Sequence, residues 1–537
     1  MTNPFITLEE IACVLPDGRT LFRELGEHFD TRATGLVGRN GMGKTVLARI
    51  MAGQIAPTSG HCRRSGEVHY LAQQVARPAH GSLARLIGVD TTLDALTRIE
   101  AGSTASHDFD LAGDNWDLRQ RLQHALERHG LGHLDPDRPI AALSGGEAMR
   151  AALIGAELSR ADFLILDEPT NHLDRESRQA LIEWLGRWPY GLVVVSHDRR
   201  LLDSMTNIVE LSSSGLQRYG GHHGFYAACR QQERHNALKR PENAKRERAK
   251  TEKSLQQQRE RQQRRQARGQ RQGKHANQAK ILLDGQKERS GATAGRLQQR
   301  QQEARQKAAD DVDQARQQIK SEAGIRVHDS GMSPPARSVI VSLEAVTLPF
   351  PEDAENSLDL RLAGQQRLGV VGPNGCGKST LLRVLAGELQ PASGQCRLPA
   401  HSAYLDQSLR QLDATRSVLD QLREVSPEAA AGELRMRLAQ LDLDADRITR
   451  PGGLLSGGER LKAALACVLY AQPPAPLLLL DEPGNHLDLA SLEALETMLR
   501  GYRGALVVVS HDDAFLDNLE LTDRLSATGQ GWRLEPW

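Results

Sequence analysis

Short runs of consecutive apolar residues punctuate an otherwise mixed chain. Phe163–Leu166 and Leu477–Leu480 are wholly apolar, as are Val193–Val195 and Val507–Val509. Such runs, without alternation, predict strands buried on both faces of a parallel sheet. Gly35-Leu-Val-Gly38 and Leu368-Gly-Val-Val371 predict two further strand ends, followed by helices over Thr45–Ala52 and Thr380–Ala386. No apolar run approaches the roughly 18 residues that would span a bilayer. The pattern changes between residues 231 and 320, where Lys, Arg, Gln, Glu and Ala dominate. These are good helix formers, and few Gly or Pro interrupt Ala244–Ala267. Two long helices joined near Arg268–Asn277 are predicted, and an arm of about 40 helical residues would reach roughly 60 Å.

The chain also repeats itself. Gly38, Arg39, Asn40, Gly41, Met42, Gly43, Lys44 and Thr45 return as Gly372, Pro373, Asn374, Gly375, Cys376, Gly377, Lys378 and Ser379. Leu143-Ser144-Gly145-Gly146-Glu147 returns as Leu455-Ser456-Gly457-Gly458-Glu459, Asp167-Glu168-Pro169 as Asp481-Glu482-Pro483, and Ser196-His197 as Ser510-His511. Spacing is kept too: Lys44 to Gln73 and Lys378 to Gln407 are both 29 residues, and Asp167 to His197 and Asp481 to His511 are both 30. Between Gln and Ser the copies differ, 71 residues against 49, so the first carries about 22 extra residues within 75–142. Ordered motifs at matched spacing indicate a tandem duplication. The boundaries follow as 1–228, a linker over 229–335, and 336–537.

Each motif has a chemistry. Gly-x4-Gly-Lys-Thr/Ser is a phosphate-binding loop, whose glycines let backbone N–H groups wrap the α- and β-phosphates. Lys44 and Lys378 are placed to reach the β- and γ-phosphates, and Thr45 and Ser379 to ligate Mg²⁺. Asp167 and Asp481, at strand ends, can hold Mg²⁺ through water, and Glu168 and Glu482 can polarise the water that attacks the γ-phosphate. His197 and His511, at a fixed distance from those acids, are expected at the γ-phosphate. Gln73 and Gln407 are candidates for sensing Mg²⁺ and the attacking water. A bland alternative exists for each motif alone: a glycine turn, a strand end meeting solvent, a structural histidine. Two copies in register outweigh it.

Charge changes the picture of the middle. Overall the chain has 68 Lys+Arg and 68 Asp+Glu, but residues 231–320 hold 24 basic and 11 acidic residues, a net of +13, which leaves −13 elsewhere. Over 231–258 Glu interleaves with Lys and Arg, and pairing along the helix accounts for the pattern. From Arg261 to Leu283 there is no acid. Arg261, Arg264, Arg265, Arg268, Arg271, Lys274 and Lys280 are therefore uncompensated, which costs stability unless a polyanion neutralises them. The segment has no Phe, Tyr or Trp to stack on bases, so backbone-directed nucleic-acid binding is expected. Charge alone does not separate RNA from DNA. Six scattered cysteines suggest reduced thiols, not a disulfide framework or zinc site. Met1–Glu10 lacks a basic stretch before an apolar core, so no secretory leader is expected.

The order of phosphate loop, Gln, Leu-Ser-Gly-Gly-Glu, Asp-Glu-Pro, Asn-His-Leu-Asp and Ser-His resembles the ATP-binding cassette (ABC) ATPases. Two cassettes, Asn-His-Leu-Asp in both, no membrane segment and a charged helical linker resemble the ABC-F subfamily in particular, over nearly the whole chain. The resemblance implies an α/β fold of two tandem ABC-type P-loop ATPase domains joined by a long, basic, coiled-coil-like helical linker. It also implies ATP with Mg²⁺, and two composite sites in which Ser456, Gly457 and Gly458 face the ATP on Lys44 while Ser144, Gly145 and Gly146 face that on Lys378. Asp174 and Asp488 would communicate between the sites. Phe350, 28 residues before Lys378, would stack on adenine; Pro16 stands at the equivalent first-copy position. Gly484 replaces Thr170 without removing a catalytic group. As for partners, the resemblance implies a cytoplasmic monomer whose linker contacts rRNA and the P-site tRNA on the ribosome, acting in translation or antibiotic protection. An energising subunit of a separate transporter and a DNA-associated ABC ATPase are the alternatives.

Overall fold

The computed structural model describes residues 4–73, 81–236 (apart from 160 and 172), 249–268 in part, 302, 306, 338–350, 357–528 (apart from 442 and 486) and 531–537. The apolar runs form the centres of two six-stranded sheets. In the first cassette the order is Val68–Leu71, Phe163–Asp167, Gly191–Val195, Thr34–Gly38, Asn207–Ser212, Gly215–Gly220, and only the last strand is antiparallel. The second cassette repeats this order with Ala403–Leu405, Leu477–Asp481, Ala505–Val509, Arg367–Val371, Asp523–Thr528 and Gly531–Pro536. Every residue of Phe163–Asp167 and Leu477–Asp481 is buried, as a central strand covered on both faces requires.

This order places the chemistry. The phosphate-loop strand is two positions from the Asp-Glu strand, with the Ser-His strand between them. All three run parallel, so Gly38, Asp167 and Val195 reach one edge. There the helices Lys44–Met51 and Lys378–Leu385 begin, at residues Gly43 and Gly377 with φ of 93° and 97°, a left-handed backbone that glycine adopts without steric cost. A three-stranded antiparallel sheet flanks each core: Phe5–Val14, Thr20–Phe29 and Ser59–Ser65 in one, Val339–Thr347, Leu358–Ala363 and Ser393–Arg397 in the other.

The extra length of the first copy is helical. Leu83–Ile87 and Leu118–Arg128 correspond to Val418–Val425 and Ala431–Gln440, and the first copy adds Asp90–Glu100 and Ser106–Ala112 between its pair. The chain divides into two compact units, one holding Met1–Tyr226 with Ile325–Trp537, the other Ala227–Gly324. In the latter, Arg261, Arg264 and Arg268 are helical and exposed. Arg265, Arg271, Lys274, Lys280 and the expected junction beyond Arg268 lie outside the described residues. Among the described residues no helix is long and apolar enough to cross a membrane.

Candidate ATP-binding sites

Two cavities open at the phosphate loops, of about 550 Å³ around Lys44 and about 530 Å³ around Lys378, a size suited to a small ligand. The first is lined by Asn40, Gly41, Gly43, Lys44, Thr45, Gln73, Asp167, Glu168 and His197; the second by Asn374, Gly375, Gly377, Lys378, Ser379, Gln407, Asp481, Glu482 and His511. Phe350, 57% exposed, is on the wall of the second. In the first, the same hairpin tip contributes Leu15, Arg19 and Leu21.

Both loops hold their lysines in one pose. Lys44 Nζ donates to the Gly38 carbonyl (2.7 Å) and Lys378 Nζ to the carbonyls of Gly372 (2.8 Å) and Pro373 (2.7 Å). Burial pushes the Lys44 ammonium down, against the pull of Glu168, Asp488 and Asp167. Asp167 and Asp481 are raised, chiefly by burial, while Thr45 and Ser379 hydroxyls bond to them. Tyr70 and Tyr404 donate to their Oδ2 atoms at 3.3 and 3.4 Å. The Oδ1 atoms of both aspartates are buried with no hydrogen-bond partner among the described residues. A buried carboxylate oxygen left this way calls for a cation or a donor.

The glutamates are set by the backbone. Glu168 and Glu482 have φ of 48° and 49°, a left-handed conformation uncommon for a non-glycine residue and concentrated at functional sites. Each holds it by donating its N–H to the adjacent strand, to Val195 O (2.8 Å) and Val509 O (3.0 Å). The His197 and His511 rings lie 3.5 Å from the Glu168 and Glu482 carboxylates. Burial, with the neighbouring Asp167 and Asp481, raises the glutamates to about 8 and about 7, against the pull of Lys44 and Lys378. Burial and the same lysines depress His197 to about 3 and His511 to about 4, so both rings are neutral. A neutral ring beside a carboxyl that titrates near neutrality suits proton transfer from water.

The cassettes meet at these sites. Asp488 accepts Ser491 N–H with Oδ1 (2.8 Å), capping its own helix, and Asn40 N–H of the opposite phosphate loop with Oδ2 (2.8 Å). Asp174 does the same with Ser177 N–H (3.0 Å) and the Asn374 backbone. Although burial opposes it, these bonds hold both carboxyls below the usual range. Ser456 and Ser144 are the groups expected to face the ATP on Lys44 and on Lys378. Both serines are exposed and neither is on the wall of these two cavities. Each instead closes a capping box on its own helix, Ser144 with Glu147 and Ser456 with Glu459.

Comparison with known proteins agrees with the two-cassette fold. The ABC transporter family profile matches residues 29–171 and 356–485. ABC transporter F family member 5 of Arabidopsis thaliana is 30% identical over 90% of this chain and 69% of its own length. The chain belongs to the ABC-F family of ATP-binding cassette ATPases. Another relative, the tylosin resistance ATP-binding protein TlrC of Streptomyces fradiae, is 32% identical over 89% of each chain. Among solved structures, RNase-L Inhibitor superposes with a TM-score of 0.57 at 18% identity, covering 98% of this chain and 90% of that one. An archaeal ribosome recycling factor in complex with a ribosomal stalk protein gives 0.56 at 18%, covering 98% and 89%; both likenesses concern the fold. Like its family, this ABC-F protein binds and hydrolyses ATP. Tyr70, Tyr404, Leu15, Arg19 and Arg178 adjoin the sites although none belongs to a repeated motif. The tyrosines had a signal, since both stand three residues before the repeated glutamine.

Proposed function

We propose that this ABC-F ATPase docks on the ribosome with its cassettes closed on ATP, its basic linker against rRNA and the P-site tRNA, and so modulates translation in the cytoplasm. The observation that carries this reading is the charge segregation: a linker of +13 with an acid-free stretch from Arg261 to Leu283, tied to cassettes of −13. At each ATP site, Lys44 or Lys378 and the loop amides hold the phosphates, Glu168 or Glu482 takes the proton of the attacking water, and His197 or His511 contacts the γ-phosphate. Gln73 and Gln407 orient that water. Thr45 with Asp167, and Ser379 with Asp481, fit Mg²⁺, as the unpartnered Asp Oδ1 atoms indicate. Bound there, the ion would offset charge on the phosphate oxygens. Closure would bring Ser144 and Ser456 to the opposite ATP, and hydrolysis would release the ribosome.

Cosedimentation tests the ribosome reading. With Glu168→Gln and Glu482→Gln combined, the protein is expected in the ribosomal pellet with ATP and not with ADP, and ribonuclease treatment should release it. Absence from the pellet with ATP would sink the reading, and ribonuclease-resistant recovery in a detergent-solubilised membrane complex would favour the transporter alternative. The relative named for tylosin resistance, matched over 89% of both chains, supports a second reading, protection of the ribosome; expression should then raise the tylosin concentration a sensitive host survives.

The pH dependence follows from the glutamates. A base works only when ionised, so activity is lost as pH falls through its pKa. With Glu168 at about 8 and Glu482 at about 7, kcat/KM for ATP should rise with pH in both single variants. The limb should lie at higher pH in Glu482→Gln, where the first site remains, than in Glu168→Gln. Coincident pH profiles of the two variants would contradict the assignment.

A further inference from the structure

We propose that Arg178 is a cation supplied in trans to the second ATP site, making the two composite sites chemically unequal. The duplication supplies the comparison. Asp174 and Asp488 cap equivalent helices, and four residues further along the same face stand Arg178 in one and Leu492 in the other. Each helix faces the other cassette's site. Leu492 lines the cavity around Lys44 and not the one around Lys378, whereas Arg178 lies between the two, on the wall of its own cassette's cavity and on that of the cavity around Lys378. From the opposite cassette, therefore, one site receives an apolar side chain and the other a guanidinium.

The guanidinium is placed for use. Its side chain is only 13% exposed, and its ion pair with Asp198 is 3.3 Å between Nε and Oδ2. That contact lacks hydrogen-bond geometry, and Nε is buried with no other partner among the described residues. Asp198 spends its other oxygen on Arg200 and Leu201 N–H, at 3.0 and 3.2 Å. A guanidinium has five donors in a planar fork that matches phosphate oxygens. Arg178 also acts electrostatically on Glu482 and His511, whereas the main cation acting on Glu168 among the described residues is Lys44 of its own cassette. With ATP on Lys378, Arg178 exchanges the poorly directed pair for phosphate oxygens, and its charge stabilises the transferring phosphoryl group.

The test isolates each site. In a Glu168→Gln background only the second site turns over. There Arg178→Leu should lower kcat by about 10²-fold, the usual effect of one lost transition-state donor, with KM changed far less. Arg178→Lys should restore part of it, since the charge remains without the fork. In a Glu482→Gln background the same Arg178→Leu change should cost less than about a tenth as much, and Leu492→Arg should raise first-site turnover. Equal losses in the two backgrounds, or full loss in Arg178→Lys with the fold intact by circular dichroism, would reduce Arg178 to a structural ion pair and overturn the proposal.

Discussion

Glu168→Gln combined with Glu482→Gln is expected to lower steady-state phosphate release by about 10²- to 10⁴-fold, the range that general-base catalysis contributes. The magnitude rests on the pose of the two carboxyls. Both sit on left-handed backbone at the end of a buried strand, 3.5 Å from a neutral histidine, a pose that suits them to receive a proton. Gln keeps the shape and the N–H bonds to Val195 and Val509 while removing the basic oxygen. ATP binding, measured by equilibrium filtration with the double variant, should persist, because Lys44 and Lys378 are held by loop carbonyls and not by the glutamates. Turnover within tenfold of the unmodified protein would show that another group takes the proton.

The features that motif reading identified are those a local backbone or a single side chain enforces. Gly43 and Gly377 mark positive φ where a strand turns into a helix, and Asp167 and Asp481 mark the ends of apolar runs; both are visible because the constraint lies within a few residues. What was not visible depends on contacts made across hundreds of residues. The positive φ of Glu168 leaves no mark on residue type, because the adjacent strand holds it through Val195 O. Arg178 looks like one more charge on an amphipathic helix until the opposite cavity is beside it. The length excess of the first copy could be counted, but its helices, Asp90–Glu100 and Ser106–Ala112, fold as they do because Leu96 and Ala112 pack with Leu118 and Leu122. Ser144 and Ser456 start helices, each through a capping box made within its own five-residue motif.

Removing Glu496 should cost about 3–5 kcal/mol, the penalty for leaving a buried charge without its partner. Glu496 and Arg199 come from different cassettes, their side chains are 5% and 10% exposed, and they pair at 2.7 Å. Asn518 donates to the second Glu496 oxygen at 3.1 Å. Two other cross-cassette pairs are shorter or similar, Arg200–Asp513 at 2.6 Å and Arg175–Asp513 at 3.0 Å, but their arginines are 43% and 51% exposed. Water screens the arginine ends of those pairs, and Asp513, itself only 8% exposed, keeps one arginine when the other is removed, so each pair contributes less. Burial, not distance, therefore decides which contact dominates the seam. Glu496→Leu should lower the urea midpoint and raise hydrogen exchange along Leu489–Gly501, whereas Arg175→Leu should do little. Adding Arg199→Leu to Glu496→Leu should recover much of the loss, since two apolar side chains replace two charges and nothing charged stays buried alone. If Glu496→Leu costs under about 1 kcal/mol, the pair is solvated in solution and the cassettes are held together by the Asp174 and Asp488 bridges to the phosphate loops. In that case nucleotide, which binds those same loops, would control the seam directly, and its stability would depend on ATP far more than on salt.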